Sequence, residues 1–168
     1  MIHVCSLARL HQTVDDIGAR HVVTLLGDGD RVERPAAIAE ENHLWLRLHD
    51  ISEPRDGYVL PDEDHVADLL SFVRRWDRRA PIVIHCYAGI SRSTASAFAS
   101  VCALNPARDE NSIAQALRHA SPTATPNIRI VALADRLLDR RGRMVAAIEN
   151  IGRGAVAIEG TPFRLDLD

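Results

Sequence analysis

The segment Pro81-Ile82-Val83-Ile84-His85-Cys86-Tyr87-Ala88-Gly89-Ile90-Ser91-Arg92-Ser93-Thr94 changes pattern twice. Ile82 to Ile84 is a short, apolar, β-branched run, which predicts a buried strand. From Thr94 to Leu104 the chain is rich in Ala, with Phe98, Val101 and Cys102 at helical spacing on one face, which predicts a helix. Between them lies a tight turn with Gly89 and the small residues Ala88 and Ser91. A strand that runs through such a turn into a helix makes an anion cradle. The turn directs its N–H groups inward, and the helix N-terminus adds positive partial charge.

Cys86 opens this turn and Arg92 closes it, with five residues between them. A protonated thiol is a poor nucleophile. Converging N–H dipoles, a helix N-terminus and a guanidinium all favour the thiolate, so the site is expected to lower the Cys86 pKa from the free value of ~8.5 into the ~3.5–7.5 range. Arg92 carries a planar fork of donors that matches two oxygens of a phosphate. Ser93 is positioned to donate its hydroxyl to the Cys86 sulfur and help it leave in a second step. His85 is expected to orient the Cys86 backbone rather than to touch substrate. The phosphate-binding turn would then comprise Tyr87, Ala88, Gly89, Ile90, Ser91 and Arg92.

His85-Cys86-Tyr87-Ala88-Gly89-Ile90-Ser91-Arg92-Ser93 resembles the His-Cys-x-x-Gly-x-x-Arg-Ser/Thr signature of the cysteine-dependent protein tyrosine phosphatases. A bare Cys-x5-Arg occurs by chance. The preceding strand, His85, the Ala88-Gly89 pair and Ser93 together make the match specific, and it extends by loop order over roughly His43 to Leu138. The resemblance implies a small bacterial-style tyrosine or dual-specificity phosphatase, with a strand–P-loop–helix of phosphatase type. It also implies a phosphocysteine intermediate on Cys86, no cofactor, and a bundle of helices behind the turn formed by Thr94–Leu104, Asp109–Ala120 and Asn127–Ile148.

The whole chain fits that reading. Its 168 residues, 46% hydrophobic and 26% charged, suit one globular domain with a real core. A net charge of −3 argues against nucleic acid as a partner. Cys5, Cys86 and Cys102 are an odd, irregular set that suggests neither a disulfide framework nor a zinc site. The histidines show no metal-ligand spacing, so no metal is expected. No apolar run approaches a membrane span, and Met1 to Leu10 has no basic n-region. A nucleophilic thiol needs a reducing compartment, so the expected location is cytoplasmic.

In chain order, Ile2–Cys5 predicts an edge or first strand, Leu7–Ile17 an amphipathic helix ended by Gly18, and His21–Leu26 an inner strand. Arg31 to Glu41 is expected to hold a short surface helix. His43 to His49 alternates, as a half-buried strand does. Pro61 to Arg79 predicts a long helix with Pro61 in its first turn and Val66, Leu69, Leu70, Val73 and Trp76 buried. Asp109 is a good N-cap, and Asn127 to Ile148 predicts a final long helix that Gly142 is placed to interrupt. Val156-Ala157-Ile158 is a candidate short strand. Alternating strands and helices predict an α/β single domain, its central mostly parallel sheet flanked by helices. The phosphatase domain is expected to span 1–150. Residues 151–168 would form a C-terminal extension, docked on that domain or trailing from it.

Breaking a phosphate monoester also needs an acid to protonate the departing oxygen. Asp50, Glu53 and Asp56 are the candidates in the loop after the His43–His49 strand. Asp50 is preferred because it follows the strand directly and so shares the sheet edge with Cys86; Asp56, before Gly57, is the alternative acid. In the dual-specificity branch the acid begins the corresponding loop, and His49-Asp50-Ile51 matches that place. Pro126-Asn127 resembles the Pro-Asn element of the same enzymes, whose Asn braces the turn, and Asn127 also reads as a plain helix cap. None of the turn side chains is basic, which disfavours highly phosphorylated inositols. The expected partner is a phosphotyrosine-containing protein or a small aryl phosphate, and the oligomeric state is left open. Two rival readings remain: a catalytically weak module that binds phosphorylated ligands, and another thiolate enzyme such as a sulfurtransferase or arsenate reductase.

Overall fold

The computed structural model describes residues 1–167. Residue 168, the last of the expected C-terminal extension, lies outside the described residues. A five-stranded sheet runs through the molecule in the order β3-β2-β4-β1-β5. Its strands are β1 (Ile2–Ser6), β2 (His21–Leu26), β3 (His43–Arg47), β4 (Ile82–Cys86) and β5 (Phe163–Leu165). The first four are mutually parallel, and β5 runs antiparallel to β1. β4 is the middle strand. Its partners on both sides carry the chain to the same end of the sheet, with Ser6 and Leu25 in register with Cys86. Ligands in parallel sheets bind beyond the carboxyl ends of the strands, and that end of β4 is where Cys86 stands.

Helices cover both faces. α1 (Leu10–Ile17) seals one face through Leu10 and Val14, packed with Cys5, Val22 and Val83. The larger core on the other face collects α2 (Glu63–Arg75), α3 (Arg92–Leu104), α4 (Glu110–Ala120), α5 (Ile128–Leu137) and α6 (Arg143–Ile151). α3 is the centre of this bundle. Sequence spacing gives it one apolar face, but Arg92 through Cys102 are all buried. The reason is its composition: Ala95, Ser96, Ala97, Ala99 and Ser100 are small enough for neighbours to approach from every side, and a helix buried all round needs no polar face.

Several elements differ from the sequence expectations in extent. α2 begins at Glu63, because Asp62 rather than Pro61 starts it. The Asp62 carboxylate accepts from the His65 N–H while His65 Nδ1 accepts from the Asp62 N–H, a reciprocal cap. The helix stops at Arg75, and Trp76 turns away in extended geometry. The expected helix within Arg31–Glu41 is only a 3-10 turn at Glu40–Asn42. The long helix expected over Asn127–Ile148 is two. Asp135 causes the break by accepting from the N–H groups of Gly142 (2.6 Å) and Met144 (2.8 Å), which starts α6 afresh after Gly142 at φ 84°. The ionic cluster of Glu110 with Arg140 and Arg143 ties this corner to α4. Val156–Ile158 is not a strand; the C-terminal strand is β5, which covers the outer edge of β1.

Candidate active site

Residues 87–91 form bends rather than a hydrogen-bonded turn, and their main-chain groups are sorted by direction. Four of the five carbonyls are taken by neighbours outside the loop: Tyr87 O by the Leu7 N–H (3.1 Å), Ala88 O by Gly160 (2.9 Å), Ile90 O by Thr125 (3.0 Å) and Ser91 O by Asn127 (3.3 Å). Among the described residues, no N–H of 87–91 donates to a protein acceptor. Main-chain donors inside a fold are rarely left unpaired, so a loop with most carbonyls bonded and all its donors unspent is built for an anion. Gly89 makes this path possible. Its φ is 72°, and a Cβ there would sit 2.8 Å from main-chain atoms of Cys5 and Ser6.

Cys86 lies at the base of the loop and is buried; its Sγ is 3.1 Å from Ser93 Oγ. Arg92, also buried, donates through Nη1 to the Leu48 carbonyl at 3.1 Å, and its Nε has no partner. No carboxylate pairs with it among the described residues. A buried guanidinium without an acid is costly unless something else supplies the negative charge. His85 is fully buried, with Nε2 2.7 Å from Thr24 Oγ1, and the same hydroxyl meets His43 Nε2 at 2.8 Å. Burial pushes His85 down to about 3, opposed in part by the Cys86 backbone, so the ring stays neutral beside the nucleophile's strand position. Among the described residues, the side-chain hydrogen bond of His85 with normal geometry is the one to Thr24.

Asp50 follows β3 at the rim of the loop. Its Oδ1 accepts from Ser91 Oγ at 2.7 Å and from Asn127 Nδ2 at 2.8 Å. Asn127 serves two ends at once: its Oδ1 caps α5 by accepting from the Arg129 and Ile130 N–H groups, while Nδ2 holds Asp50 and touches Ile51 O at 3.3 Å. Asp56 is not brought to this cluster. It sits exposed at the far end of its loop before Gly57, and the loop is closed at its base by His49. There the His49 N–H donates to Val59 O and the Val59 N–H donates to His49 Nδ1, both at 2.8 Å. Two groups at the site escaped the sequence reading. Thr24 carries no signal of its own in an apolar strand. Gly160 lies in a tail whose path no local pattern gives. Ser91 was legible only as a turn residue, yet its side chain reaches Asp50.

Residues 152–162 pass directly along the outside of the loop. Gly154 N–H donates to Thr125 Oγ1 (3.2 Å), Ala155 N–H to Pro122 O (2.9 Å) and Gly160 N–H to Ala88 O (2.9 Å), while Glu159 accepts from Ser6 Oγ (2.5 Å). The tail is thus fastened to the loop that it crosses.

The family description "Protein-tyrosine phosphatase" matches residues 43–148, which takes in β3 through most of α6. No curated protein matches the chain in sequence. Solved structures do match in fold. The PTP-2 phosphatase of Cydia pomonella has a TM-score of 0.62 at 20% identity, covering 80% of this chain and 84% of that one. DUSP15 has a TM-score of 0.66 at 16% identity, with 89% and 90% covered. Human DUSP28 has a TM-score of 0.62 at 14% identity, with 83% and 92% covered.

Proposed function

The chain belongs to the protein-tyrosine phosphatase family, and from that premise we propose that Cys86, Arg92 and Asp50 carry out the phosphate monoester hydrolysis of a cysteine-dependent phosphatase. The observation that supports these assignments best is the loop whose N–H groups of 87–91 are all unspent while four of its carbonyls are bonded outside it, with the Arg92 guanidinium, its Nε unpartnered and no carboxylate on it, beside the loop. In the first step the Cys86 thiolate attacks phosphorus. An S–P bond forms, the P–O bond to the substrate breaks, and Asp50 gives its proton to the departing oxygen. The N–H groups of 87–91 and the guanidinium hold the equatorial oxygens, where charge sits in the transition state. In the second step Asp50, now a carboxylate, takes a proton from water as the water attacks phosphorus. The S–P bond breaks, and inorganic phosphate leaves with the thiolate restored. Ser93, at 3.1 Å, donates to that departing sulfur. Atoms and charge balance with water as the other reactant.

His85 and Asn127 act as positioning residues in this reading, one behind the Cys86 strand end and the other on the Asp50 carboxylate. The substrate is a phosphoprotein or small phosphate, and we take phosphotyrosine or a similar aryl phosphate as the preferred form. Tyr87, 63% exposed, and the half-buried Ala88, Ile90 and Ser91 are uncharged and suit a ring better than a polyphosphate. Among the described residues, no helix is long and apolar enough to cross a membrane. A nucleophilic thiol is consistent with the reducing cytoplasm. Arsenate reduction lacks support because it needs a second reactive thiol. Cys5 and Cys102 are buried, and burial pushes each up to about 12.

The test compares wild type with Cys86→Ser on an aryl phosphate. Loss of turnover in the variant is expected, and equal rates would overturn the assignment.

A further inference from the structure

The segment between α6 and β5 is secured at both ends and bare in the middle. Val156 and Ile158 are 95% and 98% exposed, and Ala157 between them is exposed as well. Among the described residues, none of the three makes a hydrogen bond through main chain or side chain, although Ala155 and Gly160 on either side are both fastened through their N–H groups. Close approach is built in where the segment is held. A Cβ on Gly154 would lie 2.5 Å from Ala124 O, and one on Gly160 would lie 2.9 Å from Gly89 O. An ordered run of three apolar residues with unpaired N–H and C=O groups is a template for strand addition. Its ordering cost is met before any ligand arrives.

Its position says what would use it. Two grooves flank the segment, and each has the catalytic loop as its opposite wall. One, of about 280 Å³, lies between Asp50, Ile90 and Ser91 on the loop side and Val156 and Ala157 on the other. The second, of about 410 Å³ and mostly apolar, lies between Leu7, Tyr87 and Ala88 and the side chain of Ile158. A ligand running along 156–158 therefore has one neighbour on each side of the loop that holds Cys86.

We propose that Val156–Ala157–Ile158 is the docking edge for an extended phosphopeptide. The peptide pairs its main chain with this segment and sets apolar side chains beside Val156 and Ile158 while its phosphorylated residue enters the Cys86 loop. The proposal rests on the phosphatase reading and adds the surface that would hold the substrate's flanking residues. It makes the C-terminal segment part of the active site rather than an extension of the domain.

The experiment measures kcat/KM for two phosphotyrosine peptides that differ only in the flanking positions, Ile and Val in one and Ser and Asp in the other. Wild type should prefer the apolar peptide by at least about tenfold, as burial of a few methylene groups gives. Val156→Ser/Ile158→Ser should bring the ratio close to one. Ala157→Pro removes a main-chain donor and should raise KM for both peptides while the ratio stays high. Equal use of the two peptides by wild type, or a ratio that survives the double substitution, overturns the proposal. The phosphatase reading would still stand if a small aryl phosphate is turned over in a Cys86-dependent way. Faster hydrolysis of a phospholipid monoester in vesicles than of either peptide, dependent on Val156 and Ile158, overturns it in favour of a membrane surface. No turnover of any of these substrates removes both readings.

Discussion

Replacing Asn127 by Asp changes only what Nδ2 holds, Asp50 Oδ1 and the Ile51 carbonyl. The side chain keeps its shape, and an Asp oxygen still accepts from the Arg129 and Ile130 N–H groups, so the cap on α5 survives. What changes is the other end. Nδ2 now donates to Asp50 Oδ1 at 2.8 Å; in the variant an oxygen takes its place and two carboxylates face each other. At that separation the repulsion is about 1.5 kcal/mol with the permittivity of water and about 6 kcal/mol at an effective value of 20. Asp50 is exposed, so the lower figure is the better guide. The lost charge-assisted hydrogen bond adds about 1.5–3 kcal/mol. Both penalties are relieved when the pair shares one proton, as facing carboxyls do. The variant should therefore lose about 3 kcal/mol of stability at neutral pH, measured by chemical denaturation, and regain most of it in mild acid. If Asp50 is the proton donor, the carboxylate introduced beside it should also displace the alkaline limb of the kcat profile toward higher pH. Asn127→Ser keeps a cap without adding charge and should show neither pH effect. A kcat profile in Asn127→Asp that coincides with that of Asn127→Ser would refute the reasoning, because Asp50 would then not be the group whose proton matters.

Other consequences are as specific. His85 is held neutral by burial at about 3, whereas an unfolded chain gives it 6.5. Stability is thus complete above 6.5 and falls as pH drops from there toward 3, by up to about 1.4 kcal/mol per pH unit. His43 and His21, also lowered by burial, add to the same slope. In His85→Asn, denaturation across that window should show a slope smaller by one proton, and an unaltered slope would count against the assignment. Cys5 and Cys102 are both raised to about 12 by burial, so iodoacetate at neutral pH should label Cys86 alone, as peptide mass mapping would show. Gly89→Ala puts a methyl 2.8 Å from the Cys5 and Ser6 main chain at φ 72°. It should cost at least about 1–2 kcal/mol and weaken inhibition by inorganic phosphate by about tenfold or more. A variant with native affinity for phosphate would mean that the loop is not the oxyanion site.

The fold was largely readable because β4 and its loop carry unusually specific chemistry. A β-branched run, a small-residue turn and an Ala-rich helix leave few arrangements open, and Arg92 and Ser93 follow Cys86 at spacings that a chance Cys does not have. The location of Asp50 at the rim of the loop was readable from its place after an alternating strand, and the cap at Asn127 from its residue type before a helix. What sequence could not give was mostly long-range. Asp135 ends α5 by reaching across a turn to Gly142 and Met144, and helical periodicity on either side of the break is unaffected by it. Val156–Ile158 has strand composition, but no partner strand is in reach at that point of the chain, whereas Phe163–Leu165 finds the free edge of β1. Gly160 reaches Ala88 of the catalytic loop, and Glu159 reaches Ser6 at the end of β1, only because the chain returns there to form β5, which no local pattern encodes.

The account rests on a covalent bond between Cys86 sulfur and phosphorus, and trapping that bond tests it most directly. In Asp50→Ala, an aryl phosphate with a good leaving group should still transfer its phosphoryl group, while hydrolysis of the intermediate slows for want of a base. Acid quenching in the first turnovers, followed by digestion and mass spectrometry, should find one added phosphoryl group on the peptide that contains Cys86. Turnover in wild type with no phosphorylated Cys86 peptide in the variant, or with the phosphoryl group on another side chain, would contradict the mechanism.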